Sequence, residues 1–147
     1  MATADQKTAA HPLKTLLGYQ LRRAWGAMST DLSQAVQDLD LTLTEMSILL
    51  LIEANPQITQ SEICRELSLH RANVAPLAAA LSQRDLIERE AVDRRSQGLS
   101  LSPTGKSLAR EARRRIGEHE KKFLSRIPAG DRDEFMQRIN TLWDVKD

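Results

Sequence analysis

Residues 58–105 read ITQSEICRELSLHRANVAPLAAALSQRDLIEREAVDRRSQGLSLSPTG, and their spacing decides the fold. Thr59-Gln-Ser-Glu62 has the spacing of a capping box, in which a hydroxyl and a carboxylate satisfy the first free amides of a helix. A short helix is expected from there through Leu67. Ser68-Leu69-His70 reads as a tight turn, and Arg71 to Gln83 as the next helix. Helices joined by so short a turn lie across one another, with Ile63, Cys64, Leu67, Val74, Leu77 and Leu81 folding onto one core. Leu86 to Glu90 and Gly98 to Leu101 read as two short strands around the polar tip Ala91–Gln97. Ser102-Pro103 opens a further helix, with a hydroxyl N-cap and proline in the first turn. The stretch is a helix-turn-helix followed by a β-hairpin wing.

Working outward, Thr42-Leu-Thr-Glu45 repeats the capping spacing and starts a helix with Met46, Ile48, Leu49, Leu50, Leu51 and Ile52 as its core. Asn55-Pro56 ends it. Upstream, residues 1–11 are small and polar, as in a frayed terminus. From Pro12 a single long amphipathic helix is expected, its stripe running through Leu13, Leu17, Leu21, Trp25, Met28, Leu32, Val36 and Leu39. Downstream, Leu108, Ala112, Ile116, His119, Phe123 and Ile127 form a second stripe. Pro128-Ala-Gly breaks that helix, and a last one presents Phe135, Ile139, Leu142 and Trp143. The expected organisation is a flexible 1–11, an N-terminal dimerisation helix over 12–40, a winged helix-turn-helix over 41–105 and C-terminal dimerisation helices over 106–147. The fold class is mainly α with a small β-hairpin. A lone helix cannot bury such stripes, so the two ends are expected to pack together across the twofold axis of a homodimer.

Composition sets the outer bounds. The 147 residues are 41% hydrophobic and 28% charged, with a net charge of +1. No apolar run is long enough to cross a bilayer, and Met-Ala-Thr-Ala-Asp-Gln-Lys lacks the apolar core of a secretory signal. One cysteine, Cys64, forbids an intramolecular disulfide and fits a reducing cytoplasm. His11, His70 and His119 are too scattered to ligate a metal, and no cofactor motif is present. An enzyme would need a convergent nucleophile, acid–base pair or phosphate loop, and none is visible. Charge is uneven along the chain: Lys106 to Arg126 holds eight Lys or Arg against three Glu, whereas Asp131 to Asp147 holds five acids against three bases. The Arg113–Arg115 run reads equally as a phosphate-facing patch or as a solvated helix surface.

The residue types around the two short helices are those of a nucleic-acid reader. Gln60, Ser61, His70, Arg71 and Asn73 fall outside the shared core near helix N-termini, where hydroxyls and amides donate to phosphate. Arginine pairs with the guanine edge and asparagine with the adenine edge. Asp93-Arg94-Arg95 stands at the wing tip, where arginines reach a minor groove or its flanking phosphates and the aspartate supports one of them.

The chain resembles the MarR (multiple antibiotic resistance regulator) transcription factors. The resemblance rests on Leu41-Thr-Leu-Thr-Glu, Ile58-Thr-Gln-Ser-Glu-Ile-Cys-Arg-Glu-Leu, Leu86-Ile-Glu-Arg, Asp93-Arg-Arg-Ser and Leu101-Ser-Pro-Thr-Gly, spaced in order along nearly the whole length. It implies a triangular homodimer on a pseudo-palindromic operator in double-stranded DNA, with Ser61, Arg71, Asn73, Arg94 and Arg95 making or supporting the contacts. Two departures stand out: a wing about two residues shorter than the family pattern between Arg89 and Asp93, and Pro76 inside the recognition helix. The resemblance also implies a repressor released by a small aromatic acid or its CoA thioester, bound between the dimerisation helices and the winged module. Tyr19, Arg22, Trp25 and Met28, on successive turns, with Met46 at the start of the second helix, would form a wall suited to an aromatic anion. Cys64 falls where the family carries a small packed residue. An oxidant-sensing repressor using Cys64, and a helical protein-interaction module without DNA binding, are the alternatives.

Overall fold

The computed structural model describes residues 11–92 and 96–144. Six α-helices and three strands follow one another: α1 (Leu17–Val36), α2 (Leu43–Ala54), β1 (Ile58–Thr59), α3 (Gln60–Glu66), α4 (Arg71–Gln83), β2 (Ile87–Ala91), β3 (Gln97–Leu101), α5 (Pro103–Leu124) and α6 (Arg132–Asn140). Both capping boxes form. The Thr42 hydroxyl accepts from the Glu45 amide at 3.2 Å while the Glu45 carboxylate accepts from the Thr42 amide at 2.8 Å. Thr59 and Glu62 repeat the exchange at 3.3 and 2.8 Å. The α3 and α4 boundaries agree with the spacing argument, and α4 runs unbroken through Pro76.

Three expectations are corrected. The first helix does not run continuously from Pro12. A 3₁₀ turn over Pro12–Thr15 is followed by Leu16 in an extended conformation, and α1 starts only at Leu17. The wing is not a two-stranded hairpin alone, because Ile58 and Thr59 pair with Leu99 and Gly98 to complete an antiparallel sheet of order β1-β3-β2. The helix expected to reach Ile127 ends at Leu124.

The core belongs to the winged module. Ile48, Leu49 and Ile52 of α2, Ile63 of α3, Val74, Ala78 and Leu81 of α4, and Leu99 of β3 are fully buried. Val36, Ala109 and Ala112 dock the long helices onto them. Cys64 is half-buried against the same cluster, where a thiol packs as a small apolar group. Outside it, Leu13, Leu16, Leu17, Leu21 and Trp25 at one end, and Phe135, Met136, Leu142 and Trp143 at the other, remain exposed.

Close approaches fix the joint between wing and α5. A Cβ on Gly105 would overlap the Leu86 carbonyl oxygen, and one on Gly98 would lie 2.7 Å from the Gln57 carbonyl. The Ser102 hydroxyl, 2% exposed, donates to the Asp85 carbonyl at 2.6 Å and accepts from the Gly105 amide at 2.9 Å. It therefore caps α5 and holds the strand entry at once. Ser102→Ala should lower the unfolding free energy by about 1–3 kcal/mol, since it loses the cap and strands a buried amide. Urea unfolding measures this, and a change within the noise of the transition would show that the hydroxyl is not needed.

Candidate nucleic-acid interface

Five of the residues expected to meet DNA lie on the first turns of α3 and α4 or at the cap of α4. Ser61, His70, Arg71 and Asn73 are exposed and Gln60 is half-buried on the first turn of α3. Among the described residues none of these five side chains has a hydrogen-bond or ion-pair partner. No side chain caps α4: the His70 carbonyl accepts from Asn73 and Val74, while the first amides of the helix meet no capping group. Asp93, Arg94 and Arg95 lie outside the described residues. The wing below them is held by pairing through Ala91 and Gln97, by the Val92 amide donating to the Ser96 carbonyl at 3.0 Å, and by the Gln57 amide side chain donating to Glu90 at 3.2 Å.

The five residues expected to line a ligand wall are not gathered in one protomer. The Tyr19 hydroxyl meets His11 Nε2 at 3.0 Å, and the Arg22 guanidinium lies 5.6 Å from the Tyr19 ring centroid. Trp25 is 63% exposed and Met28 half-buried, whereas Met46 is only 3% exposed within the core of α2. Met46 is thus a packing residue here, because the apolar side chains of the winged module close over it.

What sequence reasoning missed is the polar seam between α5 and the end of α1. The Arg115 guanidinium donates to the Ala35 carbonyl at 2.8 Å, to Glu111 at 2.8 Å and to both oxygens of Asp38, one at 2.9 Å. Arg114 pairs with Glu111 and Glu118, and Arg113 with Glu53 of α2 at 3.0 Å. His119, 4% exposed, bonds Asp31 through Nδ1 at 3.0 Å, and Lys122 pairs with the same carboxylate. The arginine run is therefore neither a free phosphate patch nor a merely solvated surface. Its cations are matched to carboxylates of the same chain, and Arg114 and Arg115 line a cleft of about 330 Å³ with Asp31, Glu118, His119 and Lys122. At the recognition helix, Arg84 lies 3.6 Å from Asp40 and 3.9 Å from Glu45.

These pairs depress the carboxylates. Hydrogen bonds from Arg114 and then Arg115 pull Glu111 down to about 2. Asp31 is lowered chiefly by Lys122 and then His119, and Asp38 chiefly by Arg115. Carboxylates held below their unfolded values contribute stability that is present above the ordinary carboxylate range and lost as pH falls through the folded values. For Glu111 that window runs from its ordinary 4.5 down to about 2. All three groups meet solvent, so the effect is screened by salt. Glu111→Gln should flatten the loss of unfolding free energy across that acid range at low ionic strength. A slope equal to the parent's would show that the pairs do not form in solution.

Comparison with known proteins follows the same outline. Residues 39–96 match the model of the MarR family. A solved transcriptional repressor, CouR, bound to a 23-mer DNA duplex, is 32% identical, covers 88% of this chain and 94% of its own, and superposes with a TM-score of 0.82. The chain belongs to the MarR family. It is a winged-helix transcriptional regulator of that family. The HTH-type transcriptional repressor Rv2887 of Mycobacterium tuberculosis is 29% identical over 133 residues, 86% of this chain and 92% of the relative. The solved complex of Rv2887 with salicylic acid is 26% identical over 86% of this chain and 95% of that one, with a TM-score of 0.68. No helix among the described residues is long and apolar enough to cross a membrane.

Proposed function

We propose that this MarR-family protein is a homodimeric repressor that binds a pseudo-palindromic operator and leaves it when a small aromatic acid, or the CoA thioester of one, binds. The observation that carries the DNA reading is the set of exposed side chains at the start of α4 that have no partner among the described residues. These sit in a fold that superposes on a DNA-bound repressor along nearly its whole length. Arg71 and Asn73 read base edges in a major groove. Gln60, Ser61 and His70 hold phosphates, and Arg94 and Arg95, supported by Asp93, extend the contact from the wing.

The dimer follows from the bare ends. Among the described residues of 12–40 and 106–144, nine large hydrophobic side chains are exposed, from Leu21 at 39% to Trp143 at 71%. A second copy is the covering the symmetry argument favours, because one twofold axis brings both ends of each chain to both ends of its partner. Effector release rests on Rv2887, whose solved complex contains salicylic acid. In this chain Tyr19, Arg22, Trp25 and Met28 offer the aromatic, thioether and guanidinium groups such an acid needs.

Light scattering should give twice the 16.5 kDa chain mass, and Trp143→Asp should shift it toward one copy. Arg94→Ala and Arg95→Ala should each weaken operator binding and reduce the salt slope by about one, with the dimer intact. If both bind like the parent over a salt series, the wing makes no phosphate contact. For the effector, salicylic acid should raise the thermal midpoint of the parent more than that of Arg22→Ala. Equal shifts would remove Arg22 from the site.

A further inference from the structure

The outer face of α4 deepens the DNA-reading proposal, and the inference rests on it. Helical spacing sets Ala72, Pro76, Ala79 and Gln83 along one line with Asn73 beside it, opposite the buried Val74, Ala78 and Leu81. Ala72, Asn73, Pro76 and Gln83 are all exposed. Pro76 is the unusual member. A proline in a helix interior removes the amide that would donate to the carbonyl four residues back, yet the helix continues to Gln83. Pro76 lies outside the buried core, so packing does not account for it. Between Asn73 and Gln83 the outward line carries no hydrogen-bonding side chain.

A face of that kind can make only certain contacts with base edges. In the major groove every base presents donors or acceptors, and only thymine adds an apolar group, the 5-methyl. A methyl or pyrrolidine ring pressed against a donor or acceptor leaves that group unsatisfied, which is unfavourable. Pressed against a thymine methyl, it removes apolar surface from water. We propose that α4 reads A·T pairs, with Asn73 on the adenine edge and Ala72 and Pro76 against the 5-methyl groups of thymines at neighbouring steps.

The test starts with duplexes selected from a random library by the full chain. Each thymine of the selected site is then replaced in turn by deoxyuridine, which lacks only the methyl. At one or two positions in each half-site the affinity should fall about three- to fivefold, the worth of one buried methyl. At those positions a 5-methylcytosine·guanine pair should bind more tightly than cytosine·guanine. Pro76→Ala restores a backbone donor, so it should fold at least as stably as the parent. It should also relieve the uracil penalty at one position per half-site. Asn73→Ala should lose the adenine preference and keep the uracil penalties.

Sequence-specific binding with no uracil penalty above about twofold anywhere in the half-site overturns this inference and leaves the module's DNA reading intact. Penalties unchanged in both Pro76→Ala and Ala72→Ser place the methyl contacts on other residues and overturn the assignment to α4. Failure to select any duplex overturns the DNA reading and this inference together.

Discussion

The guanidinium of Arg115 bonds the Ala35 carbonyl, the Asp38 carboxylate and Glu111 together, and so ties α5 to the turn at which α1 gives way to the winged module. Only a planar, permanently charged fork satisfies so many acceptors from one point, and lysine would leave some of them unpaired. Two residues on, Asp40 adopts a left-handed conformation with φ of 52° and faces Arg84 at the end of the recognition helix. Arg115 and Arg84 therefore converge on a few residues of turn. The placement of α4 relative to the long helices depends on that turn keeping its shape. On the proposed dimer, α1 carries part of the bare apolar surface that meets the partner, so this turn is where a change between subunits would reach the reading helix. The seam is polar and partly open to solvent, which makes it easier to reset than an apolar interface would be.

Much of the module was legible because its signals are local. The capping boxes at Thr42 and Thr59 join groups three residues apart, and the Ser102-Pro103 start of α5 joins a cap to its own first turn. Such bonds need no knowledge of the rest of the fold. The buried positions of α4 follow from a period of 3.6 alone, and all three of its fully buried residues lie on one face. The exposure of Ser61, Arg71 and Asn73 is the complement of that pattern.

What escaped was long-range or too short to carry a period. Ile58-Thr59 is a two-residue strand that exists only because Leu99 and Gly98, forty residues away in the chain, offer it an edge. The break at Leu16 lies inside a stripe whose spacing continues across it, so periodicity could not reveal it. The pairing of Arg115 with Asp38 spans 77 residues. Sequence order cannot distinguish an arginine held by such a partner from one left to meet phosphate. Met46 carried two readings, a core position of α2 and a ligand wall, and its burial agrees with the first.

These pairings bear on how the protein would bind DNA at all. Eight cations lie between Lys106 and Arg126, yet Arg113, Arg114, Arg115 and Lys122 are matched to carboxylates within the chain. A net charge of +1 leaves little field to hold a duplex without regard to sequence. Beyond the few proposed phosphate contacts, affinity on the operator then comes from contacts that depend on register, repeated in both half-sites. Apolar contacts with thymine methyls are of that kind, because they gain nothing from phosphate and are lost when the base beneath them changes. A nearly neutral chain and an apolar outer face on α4 thus point the same way. This regulator would discriminate between sequences more by base edges and methyl groups than by charge, and its hold on a wrong sequence would be weak.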